Sequence, residues 1–492
     1  MKKWIVLLLI AALLCSFAGC GKKDDNTIWV VTEESTWDRM NGQLLAVKAT
    51  FEEAHPGVTI QIDILPTQEQ ERSAYLQQLR TQILRGQGPD AYLLPTSNGL
   101  MIGDGVGRIY LEVEMLFADV ASAMENGMFR DMSRWYDADT ELGKESLNTT
   151  VMNAGVLDGN RYILPLRYDI PVIYAEMQPL RDAGFDVSAL EKPLPELMQA
   201  ALATGDPVVA AGGVYDGSEG FGNWIDYETG QVTLTEDTLT SYMETYRRLL
   251  ETSREGKALH MSVTNYIFGL YHAENKYPLR YPLYIGSLAQ LLDYAPVAQY
   301  EGSELAILPL QAQDGGTVAT VTYYAAMGSG CRNPELTYEF LRQFLLEESQ
   351  WEYNRPTKMN MLVGYPPGKG TQDKTNKTQT PGLIENGWPV RTKGSLSPLW
   401  ETRRKQFYTP NVIGDTKQRM RKIGLGTLEE QWAEILDAPI HEVRFPSAAD
   451  NMLEAALRTL NDPMEFDKPT NVSARTAAQN LLWDMRRHVS EG

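Results

Sequence analysis

Cysteine is scarce. The 492-residue chain has three, and two of them, Cys15 and Cys20, stand close to the amino terminus, which leaves Cys331 alone in any folded body. The fold must therefore be held by burial and not by disulfides. Long apolar runs are missing too. The stretch from Trp4 to Leu14 has eleven residues, short of the ~18 to 20 that a membrane-spanning helix needs, and no later segment approaches that length. Histidine is rare, and His55, His260, His272, His441 and His488 form no H-E-x-x-H, because Phe445 stands where a second histidine is required after His441-Glu442. Zinc is disfavoured, and no other metal or cofactor is called for. Asp137, Asp139 and Glu141 imitate a calcium loop, but Leu142 occupies its glycine position, so the group reads as a solvated turn. There is no P-loop and no G-x-S-x-G, and the glycines of Gly103-Asp104-Gly105-Val106-Gly107 are misplaced for a dinucleotide turn. Basic residues are outnumbered, 45 Lys and Arg against 64 Asp and Glu, for a formal charge of −19. That balance repels phosphate backbones and argues against a nucleic-acid partner.

What is present begins with Lys2 and Lys3 ahead of the short apolar stretch, the pattern of a secretory signal. Phe17-Ala18-Gly19-Cys20 resembles the lipobox of bacterial lipoproteins, which implies cleavage after residue 19 and a lipid on Cys20. Plain signal cleavage, releasing a soluble secreted protein, is the alternative, since Phe17 replaces the usual leucine. Loss of Lys2 and Lys3 takes the charge from −19 to −21. Residues 20–26 read as a polar tether, and several acyl chains hold a protein at a bilayer where one would not. The remaining ~470 residues suffice for two or three domains.

Past the tether the pattern becomes regular. Ile28 to Val31 is a compact apolar run, and Leu44, Val47, Phe51 and Ala54 follow at helical spacing until His55-Pro56-Gly57 stops the helix. Val58, Ile60, Ile62 and Ile64 alternate with polar residues, as in a strand with one buried face. A second helix carries Tyr75, Leu79 and Ile83, and Ala91 to Leu94 is another strand. Units of this kind favour a mainly parallel sheet with helices on its faces. Ser97 to Gly107 is polar and turn-rich, and Asp158-Gly159-Asn160 marks a turn. Arg161 to Ala175, RYILPLRYDIPVIYA, has strand composition, but Pro165 and Pro171 forbid one uninterrupted central strand, so it reads as a crossing of the chain. Helices are expected over about 190–204 and 236–251, and Thr357 to Gly382 reads as a loop or flap.

Several pieces, in this order, resemble the bacterial extracellular solute-binding proteins of ABC importers, in the sugar-binding family that includes the maltodextrin-binding proteins. They are TIWVVT, FEEAHPGVTIQIDI, LQQLRTQILRGQGPDAYLLP, VLDGNRYILPLRYDIPVIYAE with RDAGFD, YPLYIGSLAQLL, LAILPL with AAMGSGCRNPELTYEFLRQFLLEES, and the closing NVSARTAAQNLLWDMRRHV. The resemblance implies an α/β protein of the two-lobed periplasmic-binding-protein type, with a solute cleft between lobes joined by hinge crossings. Carried over, the crossings fall near Leu166–Val172 and Pro309–Val318, with a third after Glu352. Residues 27–166 and 319–355 then make lobe one, and 167–318 and 356–492 lobe two. The resemblance implies a sugar or oligosaccharide guest, partnership with permease and ATPase subunits, a place on the outer face of the cell membrane, and no catalysis.

A sugar cleft needs flat rings to stack on and planar polar groups to exchange hydrogen bonds, and the chain has 24 Tyr and 10 Trp. Trp37 and Asp38 follow the first strand, where ligands sit in open α/β sheets, though Asp38 would serve equally as a helix cap. Tyr168 and Asp169 lie in the crossing, with hinge packing as their other reading. Gly286 and Ser287 stand between a strand and a helix, where backbone N–H groups meet ligands, or form an ordinary turn. Tyr284, Tyr323, Trp388 and Trp224 complete the ligand-binding candidates, each with core packing as its alternative. Two rival functions stay open: a surface lyase or glycosidase drawing on the many carboxylates, and a sensor or adhesin on the same fold. A peptide in place of sugar also stays open.

Overall fold

The computed structural model describes residues 26–33, 39–96, 99–103, 108–205, 208–209, 224–226, 229, 231–255, 282–288, 305–312, 315–350, 387–392, 426–460 and 470–491. The principal strands are β1 (Thr27–Glu33), β2 (Thr59–Leu65), β3 (Ala91–Pro95), β4 (Ile163–Asp169), β5 (Pro171–Glu176), β6 (Leu283–Ser287), β7 (Leu305–Pro309), β8 (Thr317–Met327), β9 (Trp388–Pro389) and β10 (Ile440–Arg444). The principal helices are α1 (Arg39–Ala54), α2 (Glu69–Leu84), α3 (Leu194–Ala203), α4 (Glu236–Glu255), α5 (Pro334–Arg342), α6 (Gly426–Asp437), α7 (Ala448–Arg458) and α8 (Ala474–Glu491). None of the described helices is long and apolar enough to cross a membrane.

Two sheets organise the chain. The larger has the order β9-β4-β8-β3-β1-β2, with β10 paired to β8, and the smaller has the order β6-β5-β7. Two buried clusters form: one around Val30, Leu93, Leu164 and Ala325, which also takes in Val172, Tyr174, Leu288 and Ile307 from one face of the small sheet, and another around Ile173, Leu197, Tyr242, Ile285 and Leu481 on its other face. In the second lobe the apolar stripe of α8, with Ala477, Ala478, Leu481 and Met485 buried, packs on Leu239, Tyr242 and Met243 of α4. The 3.6-residue period of both stripes dictates that docking.

The parallel expectation holds for β1 with β2 and β3. It fails where the chain returns, because β8 is antiparallel to both β3 and β4, and the smaller sheet is antiparallel throughout. A strand that comes straight back from the other lobe enters the sheet in the opposite sense. Alternation in β2 also breaks. Ile60 is buried and Ile64 is half exposed, while Leu65 turns inward; among the described strands β2 has only β1 as a neighbour, so its far end follows the sheet twist instead of a flat face. Residues 99–103, in the stretch read as turn-rich, and 108–112, where helix was expected, pair as a hairpin.

The crossing is two strands, as the prolines require, broken at Ile170 between β4 in the large sheet and β5 in the small one. Lobe boundaries differ from the expectation. Residues 167–168 and Thr317–Val318 pair within the large sheet, and so do β9 and β10, although both lie in the 356–492 segment expected in lobe two. The physical cause is edge pairing: Trp388 takes the free side of Tyr168, and β10 lies parallel to the start of β8. Among the described residues of that segment, α7 and α8, with Leu460 and Val472 beside them, join the second core. Asp139, read as part of a solvated turn, instead binds Arg342 at 2.9 Å and the Tyr338 hydroxyl at 3.1 Å. The 357–382 flap and the tether lie outside the described residues.

Candidate functional site

The carboxyl ends of β1, β3 and β4 share one edge of the large sheet, because β4 and β3 both run against β8. The start of β5 and the ends of β6 and β7 face that edge from the small sheet, as Pro171 pairs with Ser287 and Val172 with Pro309. The candidate site is this seam between the lobes.

Asp169 and Ser287 meet there across 118 residues of sequence. The Ser287 hydroxyl donates to Asp169 Oδ2, and Asp169 Oδ1 accepts from the Ile170 amide at 2.8 Å. The Tyr174 hydroxyl donates to the Ser287 carbonyl at 2.8 Å, and the Tyr284 ring is tilted 30° against that of Tyr174, with centroids 6.1 Å apart. Asp169, Tyr284 and Ser287 are each partly exposed. Gly286 and Ser287, expected between strand and helix, are the last two residues of β6 itself. A carboxylate, a hydroxyl and a half-exposed ring can exchange hydrogen bonds with a polar guest and stack on it.

Four of the expected rings are not available for that. Tyr168, Tyr323 and Trp388 are 1% exposed and Trp224 is 2% exposed, so each is corrected to a core side chain. Tyr168 sits wholly inside lobe one beside Asn148, and burial pushes its phenol up. The Tyr323 hydroxyl donates to the Leu93 carbonyl at 3.2 Å and stands 3.4 Å from Thr32 Oγ1. Trp388 packs on Trp432 of α6, with ring centroids 5.1 Å apart, and Trp224 lies against the Arg444 guanidinium in the second core. These positions alternate along strands or close small layers, where large rings bury most area. Trp37, Asp38 and Cys20 lie outside the described residues.

The sequence reading missed two features of the seam. Glu33, the last residue of β1, is fully buried and takes a bidentate pair from Arg72 of α2, at 2.9 Å and 2.7 Å. Arg72 also donates to the carbonyls of Pro66 and Glu114, so one guanidinium ties three segments of the lobe-one edge. Burial pushes the Glu33 carboxyl up, against the opposing pull of Arg72. The polar Glu33 closing the apolar TIWVVTE was a readable sign; nothing marked Arg72 within its helix. The second is α6, which packs Trp432 on Trp388 of the large sheet while Gln431 Oε1 accepts the Ile307 amide of the small sheet at 3.0 Å. Among the described residues no group of three or more metal-capable side chains converges.

No protein-family profile matches the sequence, and no curated protein sequence matches it. Solved structures do. A family 1 extracellular solute-binding protein from Alicyclobacillus acidocaldarius is 13% identical, with a TM-score of 0.50, over 94% of this chain and 98% of its own. The galacto-N-biose-/lacto-N-biose I-binding protein of an ABC transporter from Bifidobacterium longum is 13% identical, with a TM-score of 0.52, over 95% of this chain and 99% of its own. The sugar-binding protein MalE from Xanthomonas citri is 11% identical, with a TM-score of 0.52, over 94% and 98%. Two sheets, two cores, crossings at Ile170 and between Pro309 and Thr317, and these likenesses agree: the chain has the two-lobed fold of the extracellular solute-binding proteins.

Proposed function

We propose that the protein is a receptor that captures a carbohydrate, an oligosaccharide first of all, between its lobes and passes it to the permease of an ABC importer driven by ATPase subunits. A lipid on Cys20 holds it at the outer face of the bacterial membrane, where tethering raises the rate of encounter with the permease. No bond of the guest is made or broken. The observation that carries the reading is the seam itself, in which strand ends from two sheets meet at Asp169 and Ser287. A guest that touches both walls favours the closed arrangement by its differential affinity. The sugar class comes from solved proteins of this fold, one of which is in complex with lacto-N-biose and another of which is a sugar-binding protein.

The test is a melting-temperature screen of the full chain against neutral mono- and oligosaccharides, peptides and organic anions, followed by chromatography of any hit after long incubation. A binder of neutral sugar shows a concentration-dependent rise, about 2.7 kcal/mol of stabilisation at a hundred times Kd, and returns the sugar intact. A rise with peptides or anions alone, or a cleaved sugar, overturns the proposal.

A further inference from the structure

The first crossing leaves little room for rotation. On the lobe-one side Tyr168 is fixed by pairing with Val321 and Trp388. On the lobe-two side the Ile170 carbonyl accepts from the Leu288 amide at 2.9 Å, and the Pro171 carbonyl accepts from the Leu310 amide at 2.8 Å. Pro171 is also paired with Ser287, and its ring fixes φ at about −65°. Between these two anchored groups stands Asp169. Any change of angle between the sheets along this crossing therefore falls on the φ and ψ of Asp169 and the φ of Ile170, the few torsions at a strand end that hinges use.

The Asp169 side chain spans that same point. One carboxylate oxygen holds the Ile170 amide at 2.8 Å, and the other receives the Ser287 hydroxyl. Ser287 moves with the small sheet, because β6 is paired to β5 along its length and its carbonyl is held by Tyr174. Turning about the ψ of Asp169 or the φ of Ile170 consequently carries the small sheet, and the hydroxyl with it, away from or towards the carboxylate. A bond to an ionised acceptor is stronger than a neutral one, so it biases the angle at which the lobes rest.

We propose that Asp169 is the pivot of the first crossing and that its hydrogen bond with Ser287 is a latch setting the resting angle between the lobes. The inference rests on the receptor reading only in taking the lobes to move, and its test involves no solute. Small-angle X-ray scattering of the solute-free full chain is compared for wild type, S287A, D169A and S287T, with amide exchange followed over residues 165–175 and 283–288. The latch requires S287A and D169A to shift the radius of gyration in the same direction and to speed exchange at Ile170 and Leu288 by about two- to tenfold, the range of one lost hydrogen bond. S287T, which keeps the hydroxyl, must behave as wild type. Folding is not at risk from the loss of the latch, since α6 still joins the sheets through Trp432 and Gln431. Faster exchange with an unchanged radius makes the bond a local brace and overturns the latch, and so does S287T behaving as S287A. A failed sugar screen with a positive scattering result would sink the solute assignment and leave the latch standing.

Discussion

Replacing Arg72 by methionine removes the cation from a buried pair and leaves Glu33 behind. The two side chains are 2% and 0% exposed, and breaking such a pair from one side costs about 3–5 kcal/mol, because the remaining charge is left without compensation. The loss should depend on pH in a definite sense. Burial already pushes the Glu33 carboxyl above its ordinary value of 4.5, and Arg72 is what works against that push. Without Arg72 the folded-state value rises further. A carboxyl raised in the fold contributes stability that is complete below its ordinary value and is lost as pH climbs through the folded value. The R72M penalty is therefore largest at pH 7 and shrinks towards pH 5, by up to about 1.4 kcal/mol per pH unit inside that window. Urea unfolding of wild type, R72M and E33Q/R72M at pH 7, 6 and 5 measures it. The double variant, with a neutral amide in place of the stranded carboxylate, should recover more than half of the pH 7 penalty. A penalty that is flat across this range, or a double variant no more stable than R72M, refutes the reasoning.

Two further outcomes follow from local geometry. The Cys331 thiol is buried, donates to Thr337 Oγ1 at 3.3 Å, and is pushed up to about 11, chiefly by burial; alkylation at pH 8, read on its own peptide, should run about a hundredfold slower in the native protein than in urea, and equal rates would place the thiol at the surface. Gly387 has φ +99°, and a Cβ there would stand 2.5 Å from Thr322 Oγ1 and 2.7 Å from the Tyr168 carbonyl, so G387A should cost at least about 1–2 kcal/mol from backbone strain, and an unchanged urea midpoint would contradict the pairing of β9 with β4.

The alternation of strand and helix from β1 to β3 was legible because each element carries its own period. Two helix starts carry cap signals that the sequence reading did not use: Asn333-Pro334 starts α5, where the Asn333 side chain accepts the Leu336 amide, and Ser447 with Asp450 makes a capping box for α7. The split of the crossing was legible because proline cannot donate to a ladder. What could not be read is partner choice. The pairing part of β9 is two residues long and that of β10 five, too short for any period, and which sheet they join depends on edges left open by β4 and β8 after those strands have come together. The resemblance therefore placed the segment from 356 onwards in one lobe, while its described backbone serves both.

The same limit governs the site. Tyrosine and tryptophan were chosen for their chemistry, yet a large ring gains more by burial than any other side chain, and it gains it wherever the interior offers room. Tyr168, Trp224, Tyr323 and Trp388 all went inward. The polar candidates obey a stricter rule. A carboxylate half removed from water needs a partner, and a partner 118 residues away, on the other side of a chain crossing, can be supplied only by a fold that brings two strand ends together. Asp169 and Ser287 sit where two sheets exchange their chain, so the bond between them carries information about both lobes. For a two-lobed receptor, a polar pair at a strand break is thus the better guide to the working seam than an aromatic count.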